Sequence, residues 1–376
     1  MLFPSVSPFF GGTVRRTNQW TRLQDVAEGI HVNTRRAIAT CTAALLCVLT
    51  PSVAGVSAAA AEDLPVAAAS SADGSYITSA TRIDDRQLKL EIYSAAMDRT
   101  IPVQVMTPAD GSVSRPVLYL LNGAGGGEDS ASWQSQTDSV QFFQDKNAFV
   151  VTPQEGKWSY YTDWIADDPV LGRNKWQTFI GEELPPLIDA QFDTNGVQSI
   201  AALSMSGTSV LNLAIAYPGQ YRGVAAYSGC AQTSDPLSQQ FVKLVVETYG
   251  GGNVENMWGP LDGPVWREND PILHAEQLRG TEIYMSTGTG LPGIPHDTPL
   301  NPRFAEGKAR LFPDQLIVGG GIEAVVNFCT SNMAKELYRL GIPAQVDFRP
   351  VGTHSWGYWQ DDLHASWPML ARSMGI

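Results

Sequence analysis

The stretch Ser199-Ile200-Ala201-Ala202-Leu203-Ser204-Met205-Ser206-Gly207 reads as a strand running straight into a helix. A serine on such a sharp turn is lifted clear of the backbone and can act as a nucleophile, provided the residues two before and two after it are small. Around Ser204 these are Ala202 and Ser206, with Gly207 next, so Gly-x-Ser-x-Gly is only approximated. Ser206 is the weaker nucleophile, because Thr208 would crowd its turn. Capping of the helix is the competing role for Ser204. A nucleophilic serine needs a base. His354, in Gly352-Thr353-His354-Ser355-Trp356, stands between a late strand and the final helix, where an imidazole could take the Ser204 proton and return it to a leaving group. His274 and His296 sit in polar, proline-containing stretches without a partner, and His364 lies in the last helical pattern, facing solvent or packing. The third member must be an acid between serine and histidine in chain order. Glu323, just after Gly319-Gly320-Gly321, is one candidate, with Asp314 and Asp297 as rivals. An acid at a helix start also complements the helix dipole, so position alone does not choose among the three.

Acyl chemistry requires two donors aimed at the developing oxyanion. The amide after the nucleophile, Met205, is one. The other belongs to the loop after an early strand, and Asn122-Gly123-Ala124-Gly125-Gly126-Gly127 supplies it through Ala124. The glycines allow a close backbone approach. A phosphate-cradling role would need a following Lys-Ser/Thr pair, which this run lacks. The five histidines form no zinc motif, neither Cys230 nor Cys329 has metal-ligand spacing, and no cofactor or metal is expected.

Strand and helix patterns alternate along the chain that must position these groups. Segments 88–93 and 100–106 read as an opening antiparallel pair. Segment 116–121 is an apolar run suited to a strand buried on both faces, followed by strands at 149–152, 199–203, 223–227, 282–286 and 344–348. Helical patterns lie at 139–146, 176–190, 205–216, 239–249, 322–340 and 363–374. This alternation predicts one α/β domain of three layers around a mostly parallel sheet, with the active site beyond the carboxyl ends of the strands.

The chain has 376 residues, 43% hydrophobic and with ten Trp, enough for a large core. Its formal charge is −13, and residues 1–61 hold five Arg against two acids, so the remainder is more acidic still. Nucleic-acid binding through bulk charge is excluded, because it needs a basic footprint. Arg35-Arg36, an uncharged and largely apolar run over 37–61, and Ala58-Ala59-Ala60-Ala61 before Glu62 describe an export signal, with cleavage near Ala61. Its apolar core is short for a membrane span. Residues 62–80 are then a linker and 81–376 the catalytic domain. Cys41 and Cys47 would leave with the signal. Cys230 and Cys329 remain, either as one disulfide or as two buried thiols.

Six blocks carry a resemblance: YSAAMDRTIPVQV (93–105), LYLLNGAGGGEDSASW (118–133), KWQTFIGEELPPLI (175–188), LSMSGTSVLNLAIAYP (203–218), NMWGPLDGPVWRENDP (256–271) and GTHSWGYW (352–359). The sequence resembles the mycolyltransferases of the antigen 85 type, secreted acyltransferases of mycolic-acid bacteria with the α/β-hydrolase fold. The resemblance implies Ser204 as nucleophile, His354 as base, Glu323 as acid, and the amides of Ala124 and Met205 as oxyanion donors. It also implies transfer of a mycoloyl group from trehalose monomycolate to a second trehalose monomycolate or to cell-wall arabinogalactan, by a monomer in the cell envelope. Asn122, Gly123, Gly125, Asp163, Trp164, Ser355 and Trp356 become candidate substrate contacts, and Trp359 a candidate wall residue, with core packing the competing role of the tryptophans. The mycobacterial enzymes carry an acid where Asn122 stands and a longer polar side chain near Gly125. Here the glycine run resembles the corynebacterial and nocardial branch, as does the Cys230–Cys329 pair, which the resemblance implies to be bridged. A plain secreted carboxylesterase is the alternative within the same chemistry, and an idle wall-binding protein the alternative outside it.

Overall fold

The computed structural model describes residues 62–376 apart from 129, 305–307 and 309. The expected export signal, with Cys41 and Cys47, lies outside the described residues. The strands are β1 (Glu62–Asp63), β2 (Tyr76–Arg82), β3 (Gln87–Ser94), β4 (Arg99–Met106), β5 (Val117–Leu121), β6 (Phe149–Pro153), β7 (Gln198–Leu203), β8 (Tyr221–Tyr227), β9 (Glu282–Thr287) and β10 (Gln345–Phe348). They form one sheet in the order β1-β2-β3-β4-β6-β5-β7-β8-β9-β10. The edge from β1 to β4, and the β4–β6 pair, are antiparallel; every pair from β6 through β5 to β10 is parallel. The stretch 62–80, expected to be a linker, supplies β1 and the first five residues of β2, with Ile77 and Ala80 in the core.

The central strands show why apolar runs replace alternation. β5, β6 and β7 are buried at every residue, because helices cover both faces. The period of two persists in where each side chain goes. Tyr119, Leu121, Ile200 and Ala202 join one core cluster, whereas Leu118, Leu120, Ala201 and Leu203 join the other. The first core is closed by the helical stretch 176–192 and by Met205–Ala216. The second is closed by Trp356–Met374 through Trp359, Leu363, Met369 and Leu370.

Three helices depart from regular form, one of them being Pro236–Lys243, which continues as a π turn over Leu244–Tyr249. The helix over 176–192 widens into a π turn at Phe179–Glu183, directly before Pro185 and Pro186. Two prolines remove two consecutive amide donors, which the preceding carbonyls can accommodate only by a change of helical pitch. The expected helix at 322–340 begins earlier, as Leu311–Asp314, a π turn Gln315–Gly319 and Gly320–Leu340 in unbroken succession. Glu323 therefore does not sit at a free helix start, and dipole complementation does not account for it. Among the described residues no helix is long and apolar enough to cross a membrane.

Candidate active site

β7 ends at Leu203 and the helix Met205–Ala216 begins two residues later, so Ser204 must make the whole turn. It does so with φ 58° and ψ −130°, a left-handed backbone that a side chain rarely adopts. Its N–H donates to the Tyr227 carbonyl at 2.7 Å, tying the turn to the end of β8. The helix start lies close against the loop after β8. A Cβ added to Gly207 would stand 2.8 Å from Gly229 Cα, and one added to Gly229 would stand 2.5 Å from the Gly207 carbonyl carbon. Ser206, the rejected nucleophile, is buried and donates its hydroxyl to the Asn122 carbonyl, fastening the helix to the glycine loop.

Ser204 Oγ and His354 Nε2 are 2.7 Å apart, and His354 Nδ1 and Glu323 Oε2 are 2.8 Å apart. Glu323 is completely buried. Its Oε1 accepts from Ser228 Oγ at 2.9 Å, Thr287 Oγ1 at 3.0 Å and the Gly288 N–H at 2.6 Å, leaving Oε2 for the histidine. Burial would raise this carboxyl, but the bond from His354, the Gly288 amide and the nearby Arg349 guanidinium outweigh it and hold it below the usual glutamate value. Of its rivals, Asp314 is exposed. Asp297 is buried and fully engaged, accepting from Thr353 Oγ1 and Gln315 Nε2 at 2.6 Å, Tyr358 OH at 2.7 Å and the Gly293 N–H at 2.9 Å. It braces the residue before His354 rather than His354 itself. The His354 N–H donates to the Gly319 carbonyl at 3.1 Å, an approach that the glycines before Glu323 permit.

The glycine loop lies beside Ser204. A Cβ on Gly123 would be 2.5 Å from Leu203 Cδ1 and 3.5 Å from Ser204 Cβ. The Ala124 carbonyl accepts from the Trp158 N–H at 2.9 Å, which fixes the peptide plane beside it. The amide of Met205 belongs to the first helical turn, whose N–H groups have no intrahelical acceptor. Segment 155–161 packs on this loop and carries left-handed backbone at Glu155, Gly156, Trp158, Tyr160 and Tyr161. That much unfavourable backbone persists only where the surroundings enforce it, as at functional sites. The sequence holds no signal for it, since four of these five residues are not glycine.

From Ser204 and His354 a narrow cleft of about 50 Å³ runs between two helical segments, with walls of Phe241 and Val245 on one side and Ile322, Val325 and Val326 on the other. Cys230 also lines it and is bridged to Cys329, with Cα atoms 5.0 Å apart. The bridge ties the Glu323 helix to the loop after β8. An activated serine, a base oriented by a buried carboxylate and an apolar channel can form and hold a covalent acyl ester.

The residues expected to contact substrate are placed as follows. Asn122 is buried beneath the glycine loop, its Oδ1 accepting from the Trp133 N–H at 3.1 Å and its Nδ2 donating to the Pro153 carbonyl at 3.4 Å. Both ends of its amide are engaged by the loop and its neighbours. Asp163 accepts from the Thr178 N–H at 3.1 Å and Thr178 Oγ1 at 2.6 Å, satisfying the first turn of the helix over 176–192. Trp164 is buried, donating Nε1–H to the Ser159 carbonyl at 3.0 Å. Gly123 lies beside Ser204, and Gly125 in the loop that carries Ala124. Ser355 precedes the last helix and is buried; Trp356 is half-buried, edge-on to Trp133 and Trp359. Trp359 lies edge-on to the His354 ring with centroids 4.9 Å apart. His296, expected to stand alone, pairs with Asp361 at 2.7 Å, while His364 pairs with Asp138 at 3.0 Å and stacks on Phe142. His274 bonds the Arg267 carbonyl at 2.9 Å. Among the described residues no cluster of His, Cys, Asp and Glu could hold a metal ion. The donors Ser228, Thr287 and Gly288 were not among the residues expected at the site. They are ordinary strand-end residues, brought to Glu323 only by the order of β8 and β9 in the sheet.

The Esterase (“Putative esterase”) family model matches residues 94–370. The chain is 32% identical over 298 residues to the diacylglycerol acyltransferase/mycolyltransferase Ag85A of Mycobacterium tuberculosis, covering 76% of this chain and 81% of that protein. It is 31% identical over 297 residues to Ag85B of Mycobacterium leprae, covering 76% of this chain and 83% of the other. The crystal structure of Mycobacterium tuberculosis MPT51 shares the fold, with a TM-score of 0.62 at 22% identity over 75% of this chain and 96% of that one.

Proposed function

Because the chain belongs to the Esterase family, and within it to the mycolyltransferases of the Ag85 type, we propose that it transfers a mycoloyl group through an ester on Ser204. The donor is trehalose monomycolate. The acceptor is a sugar hydroxyl of a second trehalose monomycolate or of cell-wall arabinan, and the reaction takes place in the cell envelope after export through the basic and apolar amino-terminal segment.

One observation carries the reading: the hydrogen-bonded line Ser204–His354–Glu323 opens onto an apolar cleft rather than onto a polar pocket. His354 Nε2 takes the hydroxyl proton as Ser204 Oγ attacks the ester carbonyl, and Glu323 stabilises the imidazolium that results. The amides of Met205 and Ala124 receive the oxyanion. When the tetrahedral species collapses, the imidazolium protonates the departing trehalose oxygen, and the acyl chain stays on Ser204 along the cleft. An incoming sugar hydroxyl then gives its proton to His354 and attacks the ester; the bond to Ser204 Oγ breaks, the imidazolium returns the proton to that oxygen, and the sugar leaves with the acyl group. Protons and one acyl group move, and no oxidation state changes.

Mass spectrometry of the products from purified protein and trehalose monomycolate tests the reading. Trehalose dimycolate with released trehalose is the expected result. Free mycolic acid as the sole product would overturn it in favour of a carboxylesterase, in which water takes the place of the acceptor sugar.

A further inference from the structure

Behind Glu323 lies a second pair of charges that the acyl-transfer scheme above does not use. Arg349 is the first residue past β10, and its N–H donates to the Thr287 carbonyl at 2.9 Å, beside the strand end that supplies Glu323 with two of its donors. Its guanidinium Nη2 stands 3.8 Å from Glu323 Oε1, its Nη1 pairs with the Asp362 carboxylate, and its plane lies over the Tyr358 ring at 5.2 Å. The Asp362 side chain is 2% exposed. Among the described residues, Arg349 Nε and Nη2 and Asp362 Oδ2 are buried without a hydrogen-bond partner. A buried ion pair with incomplete hydrogen bonding is a poor stabiliser, since desolvation consumes what the attraction returns. Its place against the triad acid accounts for it better than stability does.

We propose that Arg349, clamped by Asp362, is a positioning residue for acyl transfer: it keeps Glu323 a carboxylate with Oε2 turned to His354. The proposal rests on the Ser204–His354–Glu323 reading. Two carboxylates this close and this deep would share a proton in the absence of a cation between them. A protonated Glu323 would offer His354 Nδ1 a donor where it needs an acceptor and would fix the wrong tautomer. The groups that face this centre are Glu323 from the helix Gly320–Leu340, Tyr227 from β8, Tyr284 from β9, Asp347 from β10, Tyr358 and Asp362 from the last helix, and His354 from the loop between. Arg349 is the cation reaching the two carboxylates in the described contacts. Burial pushes Asp362 up to about 7 against the opposing pull of Arg349, so the balance of this cluster changes within the working range of a histidine base.

The test is the pH profile of kcat/KM on p-nitrophenyl butyrate, whose acid limb reports deprotonation of the base in the free enzyme. Arg349→Met removes a positive charge and is expected to move the limb to higher pH by about half a unit or more, while Asp362→Asn removes a negative charge only to the extent that Asp362 is ionised near its value of about 7, and moves the limb to lower pH by less than that. Arg349→Lys keeps the charge and holds the limb near its native place. A structural role alone would lower melting temperature and rate in all three without shifts of opposite sign, and that result, or an unmoved limb in Arg349→Met, would overturn the proposal. Should Asp362→Asn fail to fold, the comparison of Arg349→Met with Arg349→Lys decides by itself. A burst of p-nitrophenol equal to one acyl group per native molecule is measured first. Its absence would sink the acyl-enzyme reading and this proposal with it, whereas a burst with unmoved limbs sinks this proposal alone.

Discussion

Ser204 is defined by its backbone as much as by its hydroxyl. The left-handed turn aims Oγ at His354 Nε2 and away from the helix amides, and no side-chain cap to the helix is formed. Ser204→Ala is therefore expected to fold as the native chain does and to lose several orders of magnitude in turnover, as other triad serines do. A serine-directed phosphonate should label Ser204, and peptide mapping that finds the label on Ser206 would show the nucleophile to be misplaced. Glu323 and Asp314 make a second comparison. Glu323→Gln leaves His354 without an anionic partner and should lower kcat by about a hundredfold or more, whereas Asp314→Asn changes an exposed carboxylate and should leave it near native. Equal losses would remove Glu323 from the site. Three residues expected to contact substrate, Asn122, Asp163 and Trp164, share one feature. Each is polar or aromatic and near the loops of the site in sequence, yet its hydrogen bonds are taken by backbone a few ångströms away.

At the scale of elements, two close contacts shape the active site. One is the meeting of the helix start at Gly207 with the loop at Gly229. Gly229→Ala would place a methyl 2.5 Å from backbone, where nothing flexible can give way. The elbow must shift, so the variant should lose about 1–3 kcal/mol of stability and much of its activity, measured together by thermal melting and burst amplitude. A variant with native stability and a native burst would show that the contact is not needed. The other is the approach of the His354 loop to Gly319, at the end of a π turn. The central strands and main helices were legible in the sequence, because burial on both faces leaves long apolar runs. β1 and β2 were not, since a two-residue edge strand and its neighbour in a polar, small-residue stretch have no such run. The π turns were equally silent, as their pattern is that of any helix interrupted by proline or glycine.

For the molecule as a whole, the Cys230–Cys329 bridge closes a span of 99 residues and joins the loop after β8 to the helix that carries Glu323. The chain-entropy model assigns such a loop at most about 4–5 kcal/mol of stabilisation. Replacing both cysteines by serine should lower the melting temperature and, in hydrogen exchange, loosen the helix Gly320–Leu340 before the sheet. An unchanged melting temperature would mean that packing alone holds the helix. The bridge borders the acyl cleft, so the same change should also alter the rate of acylation by longer esters more than by short ones.

What the sequence by itself determined is the chemistry and the frame: a serine between small residues at a strand end, a histidine before the last helix, a glycine loop, and alternating elements that make a parallel sheet with its loops at one end. These are local patterns, set by sterics and by burial within a few residues. Tertiary structure alone decided which acid meets the histidine, which polar residues near the site are held by the backbone, and that a buried arginine–aspartate pair stands behind the site. Those choices depend on contacts between residues as far apart as 95 positions in the chain, fixed by strand order and register, and a hydrogen bond forms with whichever partner that register brings within reach.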